Sequence, residues 1–314
     1  KAVVHTLGNH YYSALGSNEN IPLSPGDRWQ LALPLYHVSG MGIVFRSVVA
    51  GSAIVISNEL TVKSLLENRV THLSLVSTQF KRLLAMEEAE KLQSQLRAIL
   101  LGGGPIPRKL IQQGKALNLP VFTSYGLSEM TSQVATTTPN QSDLSSARVL
   151  PYREVKISSE GEILVRGATL FAGYLQENGI DPSRDEQGWF HTRDSGTLDE
   201  NYLQVTGRLD NQFISGGENI QPEIIERALL DSGDIDSAIV VPVPDEEFGQ
   251  RPFAFYASTH PIHPEEISIA LRKILPAYML PVQFTPLPEE FRTDLKPSRQ
   301  KLRDLAVEIF APKL

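Results

Sequence analysis

Along the first two thirds of the chain, apolar residues come in short runs separated by amphipathic stretches. Leu31–Leu35 reads as a strand and Tyr36–Gly40 as a loop, after which Met41–Ala50 suits a helix and Ser52–Ser57 another strand. A helix over Thr61–Arg69, a strand over His72–Val76 and a helix over Thr78–Met86 follow, with Ser77 placed to cap the last. Arg97–Leu101 is an apolar strand running into Gly102-Gly103-Gly104-Pro105. Pro107 opens a helix that reaches Leu117, and Val121–Ser124 is the next strand. This alternation predicts an α/β fold with a parallel-type sheet. Ligands of such sheets bind beyond the carboxyl ends of the strands, where the loops around His37 and Gly103 fall.

From Leu150 the rhythm changes to period two. Glu154–Ser158 and Glu162–Arg166 flank the turn Ser159-Glu160-Gly161 as a hairpin, and Gly196–Thr206 reads as a second one. After Gly207 an α+β pattern begins. Pro222–Leu230 is a helix, Ala238–Val243 and Phe253–Ser258 are strands, His263–Leu275 is a helix, and Ser298 caps a last helix over Ser298–Ile309. The expectation is therefore two domains meeting at Leu209–Asp210. Residues 1–209 form an incomplete large domain, a parallel-type α/β sheet plus a small β-rich subdomain. Residues 210–314 form a small, mobile α+β C-terminal domain. A length of 314 residues, about twice the usual single domain of roughly 150, agrees.

Composition narrows the function. No uninterrupted apolar run approaches the roughly 20 residues that cross a bilayer, so no membrane span is expected. Lys plus Arg number 29 against 36 Asp plus Glu, a net charge of -7, which argues against nucleic acid as the partner. A small anion held by a few local cations remains compatible. There is no cysteine, hence no disulfide, thiol nucleophile or thiolate metal site, which fits the cytoplasm. The histidines include no His-x-x-x-His pair.

Three stretches carry chemistry. They are Ser124-Tyr-Gly-Leu-Ser-Glu-Met-Thr131, Gly188-Trp-Phe-His-Thr-Arg-Asp194, and Gly207-Arg-Leu-Asp-Asn-Gln-Phe-Ile-Ser-Gly-Gly-Glu-Asn-Ile-Gln-Pro222 followed by Glu223 and Glu226. Their order and spacing resemble the adenylate-forming superfamily of acyl-CoA synthetases, luciferases and peptide-synthetase adenylation domains. Within it, Leu33-Pro-Leu-Tyr-His-Val-Ser-Gly40 with Phe45-Arg46, the run Leu101-Gly-Gly-Gly-Pro-Ile-Pro107 and Leu295-Lys-Pro-Ser-Arg-Gln300 resemble the o-succinylbenzoate–CoA ligases of menaquinone biosynthesis.

The resemblance implies an acid–CoA ligase that uses ATP, Mg²⁺ and CoA on a small carboxylic acid. It implies that Glu129 holds Mg²⁺, that Ser128, Thr131 and Ser132 line the same mouth, and that Asp194 accepts the ribose hydroxyls with Arg208 beside it as a fixed cation. Tyr125 and Gly126 would meet adenine with Gly102–Gly104, whose glycines admit a close backbone approach. Lys296, with Lys301 as the fallback, would bridge the acid and the α-phosphate. Asp210 would be the hinge of domain rotation and Gly216-Gly217 would meet the CoA arm. His37 would stand at the acyl–CoA junction, and Arg46 would pair the second carboxylate of the acid, since a buried anion without a partner is costly. Lys1 resembles the end of a Ser/Thr/Gly-rich phosphate loop, so that loop would precede Lys1 and the chain alone would show little activity. The family pattern has Gly where Arg193 and Leu295 stand here. Another aryl or fatty acyl-CoA ligase, a carrier-loading adenylation domain and a non-catalytic nucleotide-binding module are the alternatives, and a homo-oligomer stays open.

Overall fold

The computed structural model describes residues 2–57, 59–139, 141, 146–232, 235–258, 260–292 and 297–310. Two compact units are present. The first takes residues 1–106, 110–192 and 196–205; the second takes 107–109, 193–195 and 206–314.

An eleven-stranded sheet organises the first unit. Its order is Ala53–Val55, Arg28–Gln30, His72–Leu75, Ala98–Leu101, Val121–Leu127, Ser132–Thr136, Ala147–Val149, Tyr202–Arg208, Phe190–Asp199, Glu162–Gly167, Arg153–Ile157. The first five pair in parallel, with His72–Leu75 against Ala98–Leu101 and Ile99–Leu101 against Val121–Thr123. Both faces of this half are covered. Leu73, Leu75, Ile99, Leu101 and Val121 pack with Phe80 and Leu83 on one side, while Ala98, Leu100 and Phe122 pack with Trp29 and Ile43 on the other. Double coverage explains the unbroken apolar run of Ala98–Leu101.

The expected β-rich part is present: some of its strands continue this sheet, and Val3–Val4, Gly173–Gln176 and Gly179–Asp181 form a separate three-stranded sheet. Val121–Leu127 is parallel to one neighbour and antiparallel to Ser132–Thr136 on its other edge, with a bulge between Tyr125 and Gly126. Because the chain turns back without a crossover, the sheet carries on in antiparallel fashion. The Arg153–Ile157 and Glu162–Gly167 hairpin lies at its far edge.

Three local expectations are corrected. The strand placed at Leu31–Leu35 is Arg28–Gln30; from Leu33 the chain folds back over the next helix, so closely that a Cβ on Gly40 would lie 2.2 Å from the Pro34 carbonyl oxygen. That helix spans Val38–Ala50 and begins directly after His37, taking up part of the expected loop. Ser77 does not cap its helix but is its first residue. The Val76 N–H is taken by the Gln79 side chain at 3.1 Å, and the Ser77 hydroxyl donates to the Pro105 carbonyl. A helix over Leu7–Asn20, absent from the sequence reading, is opened by a reciprocal cap between Thr6 and Asn9.

The second unit holds Ser237–Asp245 antiparallel to Gly249–Ala257, which is parallel to Phe284–Pro286. Val240, Ala254 and Tyr256 pack with Ile225, Leu229 and Ile267 of helices Pro222–Asp231 and Pro264–Leu271. Val241, Val243, Phe253 and Phe255 pack with Leu302 and Ala306 of helix Arg299–Phe310. The helix expected to reach Leu275 stops at Leu271.

Candidate active site

The parallel strands of the first unit share one carboxyl edge, and the expected residues there gather around the turn after Val121–Leu127. Ser128–Met130 is a short 3₁₀ turn. Thr131 and Ser132 follow at φ 53° and 100°, a left-handed backbone that side chains other than glycine adopt only under strain. Gly126 is required by close approach, since a Cβ there would stand 2.0 Å from the Ser132 carbonyl oxygen. The turn is held from outside by the His5 ring, whose Nε2 lies 2.7 Å from the Ser128 carbonyl oxygen.

Glu129 is half-buried, and its carboxylate accepts a hydrogen bond from the Tyr174 hydroxyl at 2.6 Å. Burial, then the neighbouring carboxylate, pushes the tyrosine well above its ordinary pKa. Among the described residues no three His, Asp or Glu converge as a metal cluster. A divalent cation at Glu129 would therefore draw its other ligands from phosphate oxygens and water, which suits Mg²⁺.

Arg46 comes to the same turn from helix Val38–Ala50. It is 1% exposed, so it does not snorkel to solvent. Its Nη2 donates to the Ser132 hydroxyl at 3.2 Å, its guanidinium lies 5.3 Å from the centre of the Trp29 ring, and Nε has no partner among the described residues. No described carboxylate pairs with it. Burial pulls its pKa down to about 10, so it remains a cation at neutral pH. Arg153, which sequence reasoning missed, is also buried, but backbone carbonyls of Gln133, Pro151 and Ser13 surround it.

The remaining residues of this unit sort as follows. Thr131 was expected to line the mouth; it is 1% exposed and its hydroxyl donates inward to the Thr169 carbonyl at 2.8 Å, so it belongs to the frame. Ser128 is exposed and Ser132 half-buried. Tyr125 packs partly against the core of the antiparallel half. Gly102 abuts the Ser124 hydroxyl, where a Cβ would lie 2.9 Å away, Gly103 has φ 88°, and Gly104 is open. His37 is exposed, its ring against Tyr36. It occupies the cap position at the start of the helix that carries Arg46, nine residues earlier and about 13 Å along the axis.

In the second unit, Arg208 donates to Asp194 at 3.0 Å and to Asp210 at 3.1 Å. Arg193, standing where the family pattern has Gly, adopts φ 61°, the backbone conformation a glycine would supply. Asp210 lies in the 3₁₀ turn Leu209–Asn211. The Arg208 carbonyl accepts from Gln221, whose amide also meets Glu223. Gly216 and Gly217, at φ 58° and 87°, make the two-residue turn between Phe213–Ser215 and Glu218–Ile220. Glu226, 5% exposed, pairs with Arg299 at 2.7 Å and accepts the Val240 N–H at 2.7 Å. Burial lowers the Arg299 pKa, but Glu226 overrides it and leaves it raised. Lys301 is exposed in the first turn of its helix, its N–H 3.4 Å from the Ser298 hydroxyl. Lys1 and Lys296 lie outside the described residues.

A strained turn bearing a carboxylate at the carboxyl edge of a parallel sheet places this protein among open α/β folds that bind ligands beyond the strand ends. Comparison makes the class specific. A family model described as AMP-binding enzyme matches residues 1–175, and one described as AMP-binding enzyme C-terminal domain matches residues 224–293. The chain belongs to the AMP-binding enzyme family. It is 38% identical over 309 residues to a 2-succinylbenzoate–CoA ligase of Salmonella typhimurium, covering 98% of this chain and 66% of that protein. It resembles the o-succinylbenzoate CoA synthetase MenE of Bacillus subtilis solved with the acyl-adenylate intermediate OSB-AMP (TM-score 0.83, 33% identity, 96% of this chain and 66% of that one). It also resembles the same enzyme solved with ATP and magnesium ion (TM-score 0.79, 34% identity, 91% and 63%). The chain thus spans slightly less than two thirds of the length of each.

Proposed function

We propose that the protein carrying this chain is an ATP-dependent acid–CoA ligase that activates o-succinylbenzoate, working in the cytoplasm on the route to menaquinone. The observation that carries the substrate is Arg46: a fully buried guanidinium, without a carboxylate among the described residues, beside the turn of Glu129. An unpaired buried cation is costly, and an acid with a second carboxylate supplies the missing partner. The likeness to synthetases solved with OSB-AMP and with ATP and magnesium supports the same reading.

The reaction has two halves. The succinyl carboxylate attacks the α-phosphate of ATP, releasing pyrophosphate and leaving an acyl-adenylate; the CoA thiol then displaces AMP to give the thioester. The first half joins two anions, so orientation and charge matter more than acid–base work. Glu129 would hold Mg²⁺, which when bound offsets phosphate charge. Asp194, paired with Arg208, would accept the ribose hydroxyls, as a carboxylate suits a vicinal diol. Tyr125, Gly126 and Gly102–Gly104 would border the adenine, with Ser128 and Ser132 at the mouth. His37 would stand where thiol meets acyl group. Lys296 would bridge acid and α-phosphate, Lys1 would close the phosphate loop, Asp210 would be the pivot between the half-reactions, and Gly216-Gly217 would present backbone to the CoA arm.

Acid-dependent pyrophosphate–ATP exchange by the full-length gene product tests this, with o-succinylbenzoate, benzoate, a fatty acid and amino acids in parallel. Exchange confined to o-succinylbenzoate is expected. Exchange with another acid alone would reassign the substrate, and ATP binding without any exchange would favour a non-catalytic module.

A further inference from the structure

We propose that Tyr174 is a positioning residue for Glu129, aiming one carboxylate oxygen at the metal of the Mg·ATP complex; the inference rests on the reading of Glu129 given above. Segment 171–174 grips Glu129 at both ends. The Phe171 N–H donates to the Glu129 carbonyl at 2.8 Å, and the Tyr174 hydroxyl donates to Oε1 at 2.6 Å. The second carboxylate oxygen accepts no hydrogen bond from the described residues. A carboxylate tied by one oxygen is held towards one orientation, which leaves its other oxygen directed to a ligand.

The grip is itself rigid. Tyr174 pairs with Val3 on one side and Asp181 on the other, so its strand is central in the three-stranded sheet. Its ring meets Phe171 edge-on at 4.9 Å, and Phe171 is buried. Gly173 sets the approach. At φ 151°, a Cβ there would stand 2.1 Å from the Asp181 carbonyl oxygen, so only glycine lets the two strands close beside the tyrosine. The Phe171 carbonyl is in turn held by the Arg184 guanidinium. A hydroxyl needed merely for solubility would not require such a frame, since Tyr174 is only half-buried.

Hydrogen bonds to metal-binding carboxylates commonly govern metal affinity by ten- to a hundredfold. Tyr174→Phe removes one oxygen and keeps the ring on Phe171. In the full-length protein, calorimetry of ATP binding is run with and without Mg²⁺ on the parent, Tyr174→Phe, Glu129→Gln and the double variant. Tyr174→Phe is expected to weaken Mg·ATP about tenfold, to leave metal-free ATP binding within twofold, and to add nothing in the Glu129→Gln background. Equal weakening with and without metal, or no weakening, overturns the positioning role while the Glu129 reading stands if Glu129→Gln alone abolishes the metal effect. A metal effect that survives Glu129→Gln overturns both. Where the Phe variant does not fold by its melting curve, Tyr174→Met, which also cannot donate, is read by the same criteria.

Discussion

One arginine site in each unit shows a guanidinium partnered in opposite ways. In the second unit, the half-buried Arg299 meets Glu226 at 2.7 Å and Glu223 at 3.7 Å. In the first, Arg46 and Arg153 are 1% and 6% exposed and, among the described residues, hydrogen-bond only neutral groups, while the charge of Arg46 adds to burial in lowering the Arg153 pKa. Charge matched by charge holds a fold in one arrangement. Charge left unmatched waits for a ligand, and here even the neutral partners differ: Arg153 is enclosed by carbonyls, whereas Arg46 has one hydroxyl and an unbonded Nε. Of the two, Arg46 is the one with capacity left for an anion.

The largest expected effect breaks this contrast on the ligand side. Arg46→Leu should reduce o-succinylbenzoate-dependent exchange on the order of 10²–10³-fold, the scale of removing one partner of a buried charge pair. It should leave the melting temperature unchanged or higher, because no carboxylate is orphaned in the free protein. Exchange retained within threefold would sink the assignment. The converse holds at Arg299. There, Arg299→Leu leaves Glu226 buried and unpaired, and should cost about 3–5 kcal/mol in urea unfolding. Adding Glu226→Gln, which keeps an acceptor for the Val240 N–H, should recover most of the loss. A double variant as unstable as the single one would show that the pair does not hold the helix.

The same contrast explains what could be read from the sequence. Strand Ala98–Leu101 was legible because burial on both faces leaves an uninterrupted apolar run. Helix Leu7–Asn20 was not, because the face it buries is polar. Asn9 donates to the Ala168 and Leu170 carbonyls, Ser13 to the Thr131 carbonyl, and Ser17 to Gln133. No hydrophobic period marks such a face. The continuous sheet was hidden for a related reason. It depends on Thr131 and Ser132 adopting φ values that their side chains do not advertise, so Thr131 read as a site residue when it is part of the frame. At the site, Glu129 and Arg46 stand out in sequence as charges in apolar or turn-forming surroundings. Tyr174 and Arg153 do not, since their partners lie 45 residues away or more widely scattered. The one local signal for Tyr174 was the glycine before it.

The smallest effect sharpens the rule by asking what the first unit does with a charge that can leave. His10 packs face to face with Phe45, one residue from Arg46, with ring centroids 4.5 Å apart, and edge-on to His5 at 5.1 Å. Burial, and then the charge on His5, lowers its pKa from 6.5 to about 4. Arginine stays charged under the same pressure, whereas histidine gives up its proton. Between these two values the unfolded chain binds a proton that the folded chain does not, so stability is fully present above pH 6.5 and falls as pH drops towards 4. With the ring half-exposed, the loss should amount to about 1 kcal/mol. His10→Phe keeps the stack and removes the titration, so its urea midpoint should be flatter than that of the parent between pH 6.5 and 4. Parallel profiles for the two proteins would mean that acid acts elsewhere and that folding does not take a proton from His10.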